Sequence, residues 1–224
     1  MTKSLKVIVD ASHAIGSRYK DKSVGSFGDI VCASLNFTKT FGTYGDGGVI
    51  FVNDDALAQK ISKLRTYGAS RWADIHWNND IIGTASRLGV FEAAVLNEKL
   101  PYLDGTITKQ RENYFLYRDI LKNINGLELP QEDSDYFINC YRLPVLTSRR
   151  DELADFLRKN GEKLHNFYPV PLPYLPTFKN LGYNKGDFRV AEKIARECLI
   201  LPTNYLITKE RARRIAELIK EFFF

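Results

Sequence analysis

An apolar run, Val7-Ile8-Val9, ends in the carboxylate of Asp10 and is followed by Ala11-Ser12-His13. A second run, Ile30 to Ser34, passes through Leu35-Asn36-Phe37-Thr38 to the amine of Lys39. Both runs read as buried strands, because short apolar stretches bounded by turn residues suit a sheet interior. Open α/β sheets bind ligands at the carboxyl ends of their strands, so an acid and an amine placed there can meet in one crevice although they are far apart in sequence. That pair suits pyridoxal phosphate chemistry. The lysine would form a Schiff base with the cofactor aldehyde, and the aspartate would hold the protonated ring nitrogen whose charge makes the ring an electron sink.

The elements that must position these groups follow from periodicity and punctuation. Gly45-Asp46-Gly47-Gly48 predicts a tight turn into a strand over Val49 to Val52. Asn53-Asp54-Asp55 predicts the cap of a helix running to about Tyr67, with Ala56, Leu57, Ile61 and Leu64 at helical spacing. A long helical region from about Ser86 to Lys122 carries Leu88, Phe91, Ala94, Leu96 and Leu100 on one face, with Pro101 as a kink or break. This region is read as the crossover between a domain over 1–122 and a second over 123–224. The second half predicts a strand from Cys140 to Leu146, a helix from Arg150 to Asn160, and a proline-rich loop from Tyr168 to Pro176. A helix near Asp187 to Glu197, a strand at Leu199 to Leu201 and a helix capped by Thr208 complete it. The terminal Phe222-Phe223-Phe224 reads as the apolar end of that last helix.

Composition narrows the function classes. With 224 residues, 44% hydrophobic and 26% charged, the chain has the balance of a globular protein able to bury a core. The net charge of +5 is modest and its basic residues are interspersed with acids, which argues against nucleic acid as partner and for anionic substrate phosphates. The three cysteines, Cys32, Cys140 and Cys198, are widely spaced in apolar surroundings and read as buried free thiols of a reducing compartment. The N-terminus lacks a secretory pattern, and no apolar run approaches the roughly 20 residues that span a bilayer, so a cytoplasmic location is expected. No metal ligands are assigned.

At Asp10 to His13, Ser34 to Lys39 and Gly45 to Gly48 the chain resembles the DegT-type sugar aminotransferases. The likeness continues through Leu64-Arg65-Thr66-Tyr67-Gly68, Arg87, Ala93-Ala94, Tyr168 to Leu172, Gly186-Asp187-Phe188 and Leu201-Pro202. The resemblance implies an α/β chain of fold-type-I pyridoxal phosphate architecture: the second half of a large mixed or parallel sheet domain, plus a small C-terminal α+β domain. It also implies transamination of a nucleotide-linked keto-sugar, with glutamate as a typical amino donor, in amino-sugar or cell-surface polysaccharide synthesis. On this resemblance Lys39 is the catalytic and cofactor-holding residue. Asp10 binds the ring nitrogen, His13 sits by the ring and its phenolic oxygen, Ser34 binds the phosphate, and Arg87 contacts the anionic part of the substrate. The family's dehydratases carry histidine where Lys39 stands, which favours amino transfer.

Members of that family are usually longer and are dimers, with an N-terminal part that supplies a phosphate-binding helix start and an aromatic stacked on the ring. The chain, beginning at Met1, reads as the C-terminal portion, either a truncated reading frame or one half of a split enzyme. A homo-oligomer or a complex with a separate N-terminal half is therefore expected. Two positions depart from the family pattern: Ala85 stands where a cross-subunit asparagine is usual, and Pro173 where a histidine is usual. These departures motivate an alternative, a non-catalytic partner or regulatory subunit derived from such an enzyme.

Overall fold

The computed structural model describes residues 5–70, 77, 79–131 and 133–224. The chain divides into two compact units. The first comprises Met1–Thr106 with Ser134–Asn139, and the second Ile107–Asp133 with Cys140–Phe224.

In the first unit, β1 (Ile8–Asp10) lies parallel to β4 (Ile30–Ser34), with Ile8 opposite Ile30 and Asp10 opposite Cys32. On its other side β4 pairs antiparallel with β5 (Gly48–Phe51), placing Ser34 opposite Gly48. The sheet is thus mixed, in the order β1-β4-β5. Its core is small: Ala11, Val31 and Ala33 are buried, with Val9, Ala14, Ile15, Val24 and Val49 packed against them. Val31, Ala33 and Leu35 alternate inward, the period of two that a strand imposes.

The expectation of two buried strands holds for β4 and fails for β1. Val7 is 49% and Ile8 69% exposed. The cause is topological: among the described strands β1 is paired on one side only, which leaves an edge and apolar side chains without cover. Cys32 is correspondingly half-buried, not buried as expected, while Cys140 and Cys198 are buried and all three are free thiols.

A second sheet, absent from the sequence reading, joins β3 (Lys22–Ser23), β2 (Arg18–Tyr19) and β6 (Tyr136–Phe137). These two-residue strands are too short to show a period. They are fixed by side chains: the Tyr19 and Tyr136 rings stand 4.9 Å apart, and the Arg18 guanidinium lies 5.0 Å from the Phe137 ring.

Helix α1 (Asp55–Leu64) starts where Asp54 Oδ1 accepts the Leu57 N–H at 2.9 Å, so the cap is Asp54. The helix runs into Thr66-Tyr67-Gly68, where Gly68 takes φ +85° and an added Cβ would fall 1.6 Å from the Ile81 carbonyl oxygen; only glycine fits. Helix α2 (Val90–Lys99) begins later than the periodicity suggests. Its apolar face is largely uncovered: Leu96 is buried, but Val90 and Phe91 are 85% and 86% exposed. At Pro101 a 3-10 turn, Leu100–Tyr102, separates α2 from α3 (Leu103–Leu121), since proline cannot continue the hydrogen-bond ladder.

In the second unit β7 (Leu143–Leu146) pairs antiparallel with β8 (Cys198–Leu201). The strand expected from Cys140 starts only at Leu143, because Cys140 adopts φ +56°, outside extended geometry. Helices α4 (Arg150–Lys159), α5 (Arg189–Glu197) and α6 (Lys209–Phe223) complete the unit. Its core joins Leu143, Val145, Leu199 and Leu201 to Leu153 and Leu157 of α4 and to Ala212, Ile215, Ala216 and Ile219 of α6, all buried. The helical members recur at three- and four-residue spacing, and each buried Leu or Ile contributes about 1.5–3 kcal/mol of transfer free energy. Thr208 caps α6 by accepting the Arg211 N–H at 3.2 Å. At the other end the Phe222 ring lies 5.6 Å from that of Phe156. Among the described residues no helix is long and apolar enough to cross a membrane.

Candidate active site

The chemistry-bearing side chains of the first unit lie on the two loops that leave β1 and β4. Because these strands are parallel, their carboxyl ends point the same way, and the loops emerge side by side. The Ala11 N–H donates to the Cys32 carbonyl at 2.7 Å, carrying the pairing one residue past β1. The loop from Asp10 then turns through Ser12 and His13, and the loop from Ser34 turns through Asn36 to Lys39. The result is direct contact: Lys39 Nζ lies 2.8 Å from His13 Nε2.

Asp10 closes the group. Its Oδ1 accepts the Ser12 N–H at 2.9 Å. The Ser12 side chain, followed by that N–H, holds the Asp10 carboxyl below the usual carboxylate range, and the nearby His13 and Lys39 act in the same direction. Asp10 is therefore an anion at neutral pH. His13 and Asp10 are exposed and Lys39 is half-buried, so the group is open to a ligand.

The loop that presents Lys39 is an Asx-type turn. Asn36 Oδ1 accepts from the Thr38 N–H at 3.0 Å and from the Thr38 hydroxyl at 2.8 Å, while Asn36 Nδ2 donates to Asp46 Oδ1 at 2.7 Å. The Lys39 N–H returns to the Asn36 carbonyl at 2.9 Å. The glycine-rich turn braces it: Leu35 N–H donates to Gly47 O at 2.8 Å and Phe37 N–H to Gly45 O at 3.0 Å. Gly42 packs so closely that a Cβ would stand 2.2 Å from the Asn36 carbonyl oxygen, and the Lys99 ammonium hydrogen-bonds the Gly42 carbonyl. Burial pulls the Lys99 amine below its ordinary range.

Of the residues singled out from sequence, Asp10, His13 and Lys39 come together. Ser34 ends β4 with its Oγ accepting the Asn36 N–H at 3.2 Å, so its hydroxyl belongs to the turn that presents the lysine. Arg87 is exposed and engages a different neighbour, its guanidinium 5.7 Å from the Tyr67 ring. Ala85 forms an isolated antiparallel bridge with Thr66, which ties the segment before Arg87 to the end of α1.

Residues 1–220 match the DegT/DnrJ/EryC1/StrS aminotransferase family. The chain belongs to that family. Among its relatives, the pleiotropic regulatory protein of Geobacillus stearothermophilus is 35% identical over 221 residues, covering 98% of this chain and 58% of that protein. The dTDP-3-amino-3,4,6-trideoxy-alpha-D-glucose transaminase of Streptomyces venezuelae is 30% identical over 218 residues, covering 97% of this chain and 56% of the relative. Among solved structures, DesV of S. venezuelae, in complex with a ketimine intermediate, superposes with a TM-score of 0.92 at 30% identity, over 97% of this chain and 58% of that one. The chain thus spans well under two thirds of the length of the relatives it matches, and its mixed α/β architecture is a partial aminotransferase fold.

Three residues of the site were not singled out from sequence. Asn36 was legible in principle, as an asparagine two positions before a threonine in a strand-end turn. Ser12 was legible as the polar residue following a strand-end acid. Asn139, whose side-chain amide donates to the backbone of the His13 loop, carried no local signal, because its partners lie 126 and 124 positions away.

Proposed function

We propose that this chain carries the lysine-bearing part of a pyridoxal-phosphate-dependent sugar aminotransferase, which transfers an amino group from a donor such as glutamate to a nucleotide-linked keto-sugar. The observation that supports this best is the contact of Lys39 Nζ with His13 Nε2 at 2.8 Å beside the anionic Asp10. The donor set fits the cofactor in kind: an amine for its aldehyde, a carboxylate for its protonated ring nitrogen, and the Ser34 hydroxyl for its phosphate. Bound pyridoxal phosphate would supply the electron sink. The chain's own groups would do the rest.

Lys39 Nζ would hold the cofactor and, as a free amine, would carry a proton. His13 keeps an imidazole nitrogen within hydrogen-bond reach of that amine. Asp10, its carboxyl held below the usual range, would stay ionised and would hold the charge on the ring nitrogen. Arg87 takes the anionic portion of the substrate, as arginine does in bidentate pairs with carboxylate or phosphate. On this reading the first unit, Met1–Thr106 with Ser134–Asn139, is the cofactor-binding part and the second a small C-terminal domain. The protein works as an oligomer or with a polypeptide that supplies the remaining length of the relatives, in the cytoplasm.

A second reading, a non-catalytic partner or regulatory subunit, is favoured by Ala85 and Pro173, which replace side chains that the family pattern uses at the site. The two readings separate on one experiment. The protein is incubated with pyridoxal phosphate, alone and with the N-terminal portion of a relative, then reduced with borohydride and mapped by mass spectrometry, with amino transfer to a nucleotide keto-sugar measured in parallel. The enzyme reading expects label on Lys39 and transfer when the N-terminal portion is present. Label elsewhere overturns the site assignment; no transfer in either mixture leaves the partner reading as the better account.

A further inference from the structure

We infer that Asn139 is a positioning residue that sets the His13–Lys39 contact from a distant part of the chain; the inference rests on the reading of Asp10, His13 and Lys39 as one site. Asn139 is 4% exposed, and its side-chain amide donates to two carbonyls of the same loop, His13 O and Ile15 O, each at 2.9 Å. Its backbone N–H donates to Ser17 Oγ at 3.0 Å, so one residue grips the loop at three points. The grip spans most of the segment that begins at Asp10. The Ser17 N–H returns to the Ala14 carbonyl at 2.8 Å, and Val24 N–H donates to Ser17 O at 3.0 Å, which ties the gripped loop to the small sheet.

The chemistry of asparagine explains the choice. An amide nitrogen offers two hydrogens, one for each carbonyl, where a hydroxyl offers one and a carboxylate none. The carbonyls are part-buried, so removing the donors leaves acceptors that the loop must turn outward to hydrate. Turning the His13 carbonyl reorients the His13 backbone and swings the imidazole away from Lys39 Nζ. Asn139 itself sits just past β6, whose pairing with β2 fixes its approach to the loop.

The test reads the His13–Lys39 contact in the cofactor-free protein, so it is decided whether or not the chain proves to be an aminotransferase. Ring resonances of His13 are assigned by His13→Gln, and the effect on them of Lys39→Met is measured in three backgrounds: wild type, Asn139→Asp and Ser17→Ala. Asn139→Asp keeps size and swaps both donors for acceptors, while Ser17→Ala removes one grip point and carries the test if the first variant fails to fold. We expect Lys39→Met to shift the His13 signals in wild type, with that shift lost in Asn139→Asp and at least halved in Ser17→Ala. An undiminished shift in either folded variant overturns the inference. Borohydride labelling of Lys39 with pyridoxal phosphate is run on the same proteins: no label in wild type counts against the functional reading alone, whereas normal label with a lost shift supports Asn139 acting through His13.

Discussion

Lys39 Nζ and His13 Nε2 stand 2.8 Å apart, joined across 26 positions of chain by two loops that leave adjacent parallel strands. Which of the two nitrogens donates follows from the tautomer and protonation of the His13 ring. The contact places an imidazole nitrogen within hydrogen-bond reach of the amine. Lys39→Ala should abolish cofactor attachment outright. His13→Ala should keep attachment, read by borohydride labelling, yet slow donor conversion by about 10²-fold or more, as loss of a positioned acid–base group does. Equal rates in wild type and His13→Ala by stopped-flow absorbance would remove His13 from the mechanism.

The turn that presents the lysine has no room at Gly42. Gly42→Ala drives a Cβ against the Asn36 carbonyl oxygen at 2.2 Å and against the Asn36 carbonyl carbon and Phe37 Cα at 3.0 Å, all rigid backbone atoms. We expect a loss of about 1–3 kcal/mol in stability from this overpacking, together with weaker labelling of Lys39. Chemical denaturation showing an unchanged midpoint would mean that the turn relaxes freely.

Glu192 organises the loop before α5 by accepting from the Tyr174 hydroxyl at 2.5 Å, the Gly186 N–H at 2.7 Å and the Phe188 N–H at 3.3 Å. The Tyr174 hydroxyl, then the Gly186 N–H, hold its carboxyl below the ordinary glutamate range. Because the folded pKa is depressed, this contribution is full above the unfolded value of about 4.3 and is lost as pH falls through the lower folded one. Glu192→Gln should flatten the acid limb of the stability curve and expose the loop to protease at neutral pH. Superimposable acid limbs for the two proteins would contradict it.

Apolar surface on the first unit predicts association. Ile8, Ile82, Val90 and Phe91 are between 69% and 97% exposed, more than single scattered residues require. Multi-angle light scattering should give a mass above that of one 25.6 kDa chain across a wide concentration range, and Val90→Lys with Phe91→Glu should lower it. A wild-type mass of one chain throughout would refute the prediction.

How much of this was legible in the sequence depended on how local the cause was. The caps at Asp54 and Thr208 and the break at Pro101 follow from single residues acting on their neighbours, and they appear where the sequence places them. Asp10 and Lys39 were legible because strand ends and turn residues mark where a sheet opens. Burial of β1 was misjudged, since Val7-Ile8-Val9 has the composition of an interior strand and only the pairing partners decide whether an edge is covered. The face expected on α2 failed for the same reason: periodicity says which side chains align, not what covers them. The β2, β3 and β6 strands and the Asn139 grip depend on contacts between distant segments, and no window of sequence contains both partners.

The grip of Asn139 on the His13 loop also sets an order of events in time. A ribosome adds about 5–20 residues per second, so the 126 positions from His13 to Asn139 take roughly 6–25 s to make. Through most of that interval β1, β4 and the lysine turn have been synthesised while the loop bearing His13 has no clamp from Asn139. The acid and the amine are therefore in place before the residue that sets their neighbour, and the site is completed by a part of the chain that contributes no reacting group to it.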